Sequence, residues 1–305
     1  MRVERLVGET IVTERVTDNV DKRHSRPDTW LNDCASNVTS QYGEDGIIAK
    51  ILEVIGETDR WCVEFGSWDG KHLSNTYNVV TNQGYSAVLI EGNADRFEDL
   101  RRTYKDNDRV VPVNAYVGFE PADGLDAILK DTSIPANFDL LCIDIDGNDY
   151  HVWAAVKEYR PKAVVIEFNP TIPAVVEFVQ PRDMSVGQGN SLLSIAKLAK
   201  TKGYELVATT LANAFFVDEK YFPLFEIQDN SLSALWTDQS LVTHLFCGYD
   251  GALFIRGCGK LPWQQIPIEE AKMQVLPPWA RERAGDRNFL WRKLGKYYRH
   301  RVRRK

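Results

Sequence analysis

From Tyr42 onward, apolar residues recur at three- and four-residue steps: Ile47, Ile48, Ile51, Leu52 and Ile55, with Gly56 after them. That spacing predicts an amphipathic helix stopped by a glycine. A regular alternation succeeds it. Short apolar runs end at Phe65, Ile90, Val113, Ile145 and Phe168, each bounded by polar or glycine-containing turns. The pattern between them predicts helices over 72–81, 94–104, 122–130 and 149–158. Strands alternating with helices of this size imply βαβ units, a parallel sheet and right-handed crossovers. A further helix is expected over 192–202, followed by strands over 204–210 and 214–217. So short a connection joins antiparallel strands, so a hairpin should close one edge of the sheet. The expected class is α/β, with five alternating units and a terminal β-hairpin.

Outside this core the pattern weakens. Residues 1–37 show no sustained period and read as an irregular arm. Residues 38–220 form the main domain. Residues 221–280 are broken by Pro262, Pro267, Pro277 and Pro278, with two strands expected over 241–246 and 252–255 around Tyr249–Gly251. They read as an accessory layer, and 281–305 as a basic tail.

Composition adds limits. With 305 residues, 44% hydrophobic and 26% charged, the chain is long enough for a large core and has ordinary globular composition. No apolar run reaches membrane-span length, and the first residues lack the apolar stretch of a secretory signal, so a cytoplasmic protein is expected. The five cysteines are odd in number and lack zinc-type spacing; Cys62 and Cys142 read as core residues. The net charge of −6 is unevenly spread. Eleven Lys and Arg against Glu282 and Asp286 put +9 on residues 281–305, leaving −15 on the rest. Phe289, Leu290, Trp291, Leu294, Tyr297 and Tyr298 stand among these basic residues. The combination suits an anionic membrane surface contacted by residues 287–305, making the protein peripheral to a membrane. Nucleic acid is the less favoured partner, because no nucleic-acid module accompanies the tail. Oligomeric state is not legible.

The chemistry-bearing residues gather at predicted strand ends, where open α/β sheets bind ligands. The first strand runs into Glu64-x-Gly66-x-x-x-Gly70, a turn that lets a ligand approach the backbone. The dinucleotide fingerprint G-x-G-x-x-G is absent, which disfavours a nicotinamide enzyme. The acidic Glu64 suits a cationic ligand. Glu91 ends the second strand, where a carboxylate can accept both ribose hydroxyls, and Asn114 ends the third, facing an adenine.

Together with Ser40-Gln-Tyr-Gly-Glu-Asp45 and Leu141-Cys-Ile-Asp-Ile-Asp-Gly-Asn-Asp-Tyr150, these residues resemble the FkbM-type family of class I S-adenosylmethionine-dependent methyltransferases over residues 38–220. The resemblance implies a Rossmann-like class I methyltransferase fold: a mostly parallel seven-stranded sheet with an antiparallel edge hairpin and helices on both faces. It implies S-adenosylmethionine bound by Gln41, Tyr42, Glu64, Gly66, Ser67, Trp68, Gly70, Glu91, Gly92, Asn114 and Ala115. It also implies O-methylation of a hydroxyl on a sugar, glycan or related natural product. The run Ile143–Tyr150 is similar to the metal-binding strand of cation-dependent O-methyltransferases, whose Asp-Asn pair on the fifth strand is replaced here by Glu167-Phe-Asn169. Strand alternation puts Asp144 with Asp146 and Glu167 with Asn169, four oxygen ligands for Mg²⁺ or Ca²⁺. Asp144, His151 and Glu167 are the candidate catalytic residues, and His72 is a further candidate base. Residues 169–190, with Glu177, Arg182 and Gln188, are expected to form a lid. The rival reading is a non-catalytic cofactor-binding module recruited by its basic tail.

Overall fold

A computed structural model describes residues 5–7, 10–12, 26–56, 59–281 and 289–303. The central sheet has seven strands: β1 (Trp61–Phe65), β2 (Ser86–Ile90), β3 (Val110–Val113), β4 (Leu140–Ile143), β5 (Ala163–Glu167), β6 (Tyr204–Thr209) and β7 (Asn213–Asp218). Their order is β3-β2-β1-β4-β5-β7-β6, and β7 alone runs against the others. This is the expected α/β sheet, mostly parallel and seven-stranded, with an antiparallel pair at one edge. The order reverses between β1 and β4, so the carboxyl ends of those strands open a crevice.

Side-chain alternation builds a core on each face. Val63, Phe65, Val88, Ile90, Leu141, Ile143 and Val164 point to one side. There they meet α4 (Leu125–Lys130), α5 (Asp149–Ala155) and α6 (Leu192–Thr201). Cys62, Ala87, Leu89, Leu140, Cys142 and Val165 point to the other, beneath α1 (Glu44–Ile55), α2 (Tyr77–Asn82) and α3 (Ala94–Thr103). Near-continuous burial of both faces explains the unbroken apolar runs.

Three expected helices are shorter than their periodicity, and the one over 122–130 begins only at Leu125. Residues 72–76 are turn, not helix, because Ser74, Asn75 and Thr76 are drawn onto the Glu64 carboxylate. The helix expected over 149–158 stops at Ala155, since the N–H groups of Lys157 and Glu158 donate to Asp126 instead of continuing the helical ladder. The accessory strands are β8 (Thr243–Cys247) and β9 (Leu253–Gly257), an antiparallel pair. They join the main body where Thr243 N–H donates to Thr171 O at 3.2 Å and where Trp236 packs edge-on against Phe168. A helix, α7 (Phe289–Val302), lies against the turn Pro278–Ala280.

Candidate active site

The Ser40–Asp45 motif is a clamp. Asp45 Oδ2 accepts the N–H groups of Val38, Thr39 and Ser40 at 2.7, 2.9 and 2.9 Å, and the Ser40 hydroxyl at 2.7 Å. Glu44 Oε2 accepts Tyr42 N–H, while its Oε1 accepts Thr210 Oγ1 at 2.8 Å. The motif thereby ties the start of α1 to the β6–β7 hairpin and sets Gln41 and Tyr42 on the rim of a cavity of about 870 Å³.

That cavity lies over the carboxyl ends of β1, β2 and β4. Its inner wall is the loop after β1, where Gly66 and Gly70 have φ near +70°. A Cβ on Gly66 would stand 2.3 Å from the carbonyl oxygen of Asp144, so backbone passes where no side chain fits. Trp68 also has positive φ, at 48°, and its N–H donates to Glu91 Oε2 at 2.9 Å. Glu91 Oε1 accepts Asn93 N–H at 2.7 Å. These two bonds hold a buried carboxylate at the cavity wall with lone pairs left for a ligand. Glu64 is more fully committed: Ser74 Oγ, Thr76 Oγ1 and Asn75 N–H all donate to it within 2.8 Å. Burial raises its pKa and these donors oppose the rise.

The expected cofactor residues divide in two. Gln41, Tyr42, Glu64, Gly66, Ser67, Trp68, Glu91, Gly92 and Ala115 line the cavity. Gly70 and Asn114 stand behind its wall. Gly70 packs on Leu100 and Tyr104 and accepts the Tyr104 hydroxyl at 2.7 Å. The Asn114 amide donates to the carbonyl of Glu91 at 2.7 Å, joining the ends of β2 and β3.

Carboxylates collect at the mouth. Among the described residues, Asp144, Asp146 and Glu167 are the group of three whose oxygens approach one another within 4.8 Å. Strand alternation does not bring them together. Strand β4 ends at Ile143, and Asp146 returns to the side of Asp144 through a left-handed turn with φ 57°. Asp149 braces that turn, accepting Ile145 N–H and Gly147 N–H, each at 2.9 Å. Burial, then the charges of Asp149 and Asp146, push Asp144 up to about 8; burial, then Asp144, push Glu167 well up. Such mutually raised carboxyls form a hard oxygen donor set whose repulsion a cation would relieve. Asn169 is turned from this group. Its amide donates to Gln188 O and its Oδ1 accepts Thr171 N–H and Oγ1.

A second cavity, of about 790 Å³, adjoins the first and shares Asp146, Glu167 and Trp263 with it. Phe168, Ile172, Val176 and Phe178 give it apolar walls. Its outer side is the segment 169–190, which is organised around the buried Gln180. The Gln180 Oε1 accepts Gln188 N–H and Gly189 N–H, its Nε2 donates to Val186 O, and Asn190 Nδ2 donates to Gly147 O. His151 belongs to this scaffold. Its Nε2 sits 2.8 Å from Gln180 O, its ring packs on Phe119 and Tyr150, and it lines a different cavity. His72 does reach the first cavity, packed edge-on against Trp68.

Sequence patterning missed Arg96, Tyr116, Met184 and Trp263, all of which line the first cavity. Arg96 lies 4.4 Å over the Trp68 ring, and Gly92 lacks a Cβ where the Tyr116 ring passes. Trp263 comes from the accessory layer, between short paired strands at Lys260–Leu261 and Ile266–Pro267. No motif marks these residues; only the path of the chain brings them here.

No protein-family profile matches the sequence, and no curated protein does. Solved structures align distantly. The N-terminal domain of EvdMO1 with SAH bound matches 57% of this chain and 79% of its own, at 10% identity and TM-score 0.38. The CMeT domain of the citrinin polyketide synthase matches 57% of this chain and 50% of its own, at 11% identity and TM-score 0.40. The glycopeptide N-methyltransferase MtfA, complexed with S-adenosyl-L-methionine, matches 55% and 85%, at 11% identity and TM-score 0.33.

Proposed function

We propose that the chain is an S-adenosylmethionine-dependent O-methyltransferase, with the methyl donor in the first cavity and the acceptor in the second. One observation carries this reading: two adjoining cavities share the carboxylates Asp146 and Glu167 at the carboxyl ends of β4 and β5. The donor brings a methyl group on a cationic sulfur. Glu91, anchored from behind by two N–H groups, is placed to accept the ribose hydroxyls, and Gly66 lets the backbone pass close beside them. Trp68, Arg96 and Tyr116 would enclose the nucleoside.

The acceptor side is largely apolar with acids at one end. It suits a ring-bearing molecule whose hydroxyl faces Asp146 and Glu167: a sugar, a glycan or a related natural product. The motifs at Ser40–Asp45 and Ile143–Tyr150 resemble those of the FkbM-type family, and that resemblance supports the same acceptor class. Asp144, Asp146 and Glu167 fit a divalent cation, which when bound would lower the pKa of a hydroxyl. Without a cation, Asp144, pushed up to about 8, would be a stronger proton acceptor than an ordinary carboxylate, but only in its ionised form. Holding donor and acceptor in line across the shared wall supplies the remaining catalysis through orientation.

The test is release of S-adenosylhomocysteine in the presence of a panel of glycosides and polyhydroxylated aromatics, with and without chelator. Acceptor-dependent release that is lost in Glu91→Ala supports the reading. Saturable cofactor binding with no release across hydroxyl, amine and carbon acceptors contradicts it.

A further inference from the structure

A second, unrelated feature of the molecule is a face of α7 whose large apolar side chains are exposed among the described residues. On its inner side Gly295 is buried, Arg299 Nη1 donates to Ala280 O at 2.7 Å, and Tyr298 packs edge-on against Trp279 with ring centres 5.0 Å apart. These positions recur at three- and four-residue steps and fix which side of the helix meets the body. The outer side carries Leu290, Leu294 and Tyr297 at i, i+4 and i+7, with Phe289 beside them. Their exposures are 69%, 52%, 68% and 66%. A stripe of four large apolar side chains in water is a docking surface in waiting.

The charge around the stripe selects the partner. Lys293 and Arg301 stand in the same i, i+4 row as Phe289 and Tyr297, Lys296 lies to one side of it, and residues 289–305 contain no acid. Lys293 Nζ lies 4.4 Å over the Phe289 ring, so its stem already follows the apolar surface while its charge stays outward. The remaining chain, through residue 280, is strongly acidic. An anionic surface would repel the body and attract the helix, leaving one orientation. We propose that α7 lies in the interface of a bilayer containing anionic phospholipid. Leu290, Leu294 and Tyr297 enter the acyl boundary there, and the flanking cations meet the headgroups. A helix of 14 residues, about 21 Å long, is too short to span. A second copy of the chain fits less well, since pairing two such helices would bring their cations together. Nucleic acid would satisfy the cations but leave Leu290 and Leu294 in water.

The experiment is co-sedimentation of the full chain with vesicles of neutral phosphatidylcholine, alone or with about a third phosphatidylglycerol. Each is run at low and high salt, with a single-stranded and a duplex oligonucleotide as soluble competitors. The chain should bind the anionic vesicles, bind neutral ones weakly, and lose affinity with salt. Leu290→Ser with Leu294→Ser, and separately Lys293→Glu with Lys296→Glu, should each weaken partitioning at least about tenfold. The far-ultraviolet spectrum and melting temperature of each variant show whether it folds. A folded double-serine variant that binds as the parent does overturns insertion of the stripe. Equal binding to neutral and anionic vesicles overturns the charge argument. Binding to oligonucleotide without vesicle binding, or self-association that serine substitution abolishes without any vesicle binding, assigns the face to another partner.

Discussion

At the residue scale, the acids of the site differ in what holds them. Asp45 and Asp149 are spent on backbone N–H groups and act as structural clamps. Glu91 is clamped and still faces the cavity. Replacing it with alanine would remove the proposed ribose acceptor and would also release two N–H groups, one of them in the glycine loop. Glu91→Ala should weaken S-adenosylmethionine binding at least about tenfold, the value of a lost charged hydrogen bond, as read by calorimetry. Gly66→Ala should be worse for the fold itself. It combines a left-handed backbone with a Cβ 2.3 Å from a carbonyl oxygen, and should cost at least about 2 kcal/mol in urea unfolding. A Gly66→Ala protein of unchanged stability would show that the loop moves more freely than its packing allows. Which residues reach the cavity was only partly legible in the sequence. The positions of Glu91 and Gly66 were, because a strand end and a glycine turn leave local signatures. His151 sits one turn from the acidic cluster in sequence, yet its ring turns to Gln180 because α5 faces that side. Arg96, Tyr116 and Trp263 had no local pattern at all.

At the element scale, the central strands were the most legible part of the chain. Burial on both faces makes each β-strand an apolar run, and connection length alone separated the β6–β7 hairpin from the crossovers. Helix boundaries were less legible where a side chain competes with the helical ladder, as Glu64 does over 74–76 and Asp126 does over 157–158. The segment 169–190 has no repeating pattern, and its order comes from one buried glutamine. Gln180→Ala removes the acceptor for two N–H groups and a donor to Val186 O. It should loosen the wall of the second cavity, raising the acceptor KM about tenfold or more while leaving the cofactor Kd within about twofold. Trp263→Ala differs, because Trp263 lines both cavities. It should raise both constants. A Trp263→Ala enzyme with both unchanged would remove the 260–267 hairpin from the site.

At the scale of the whole molecule, the acidic cluster links pH, cation and stability. Asp144 is pushed up to about 8 and Asp149 to about 6 by burial first and by the neighbouring carboxyl charges. A carboxyl whose folded pKa is raised favours the folded state at low pH, where both states hold the proton. That contribution is lost as pH rises through the folded value. The chelated protein should therefore melt at lower temperature at pH 8 than at pH 5.5. Mg²⁺ or Ca²⁺ should restore stability at pH 8 and do little at pH 5.5, when scanning calorimetry is run in each buffer. Asp144→Asn should flatten the pH dependence and abolish the cation response. On the proposed function the first cavity holds the methyl donor, with Asp146 and Glu167 at the wall it shares with the second. The most direct measurement is a crystal structure grown with S-adenosylhomocysteine. The account predicts density whose ribose hydroxyls meet Glu91, whose base lies by Tyr116, and whose sulfur faces the wall shared with the second cavity. Density for the nucleoside elsewhere, or a first cavity left unfilled at saturating ligand, would contradict it.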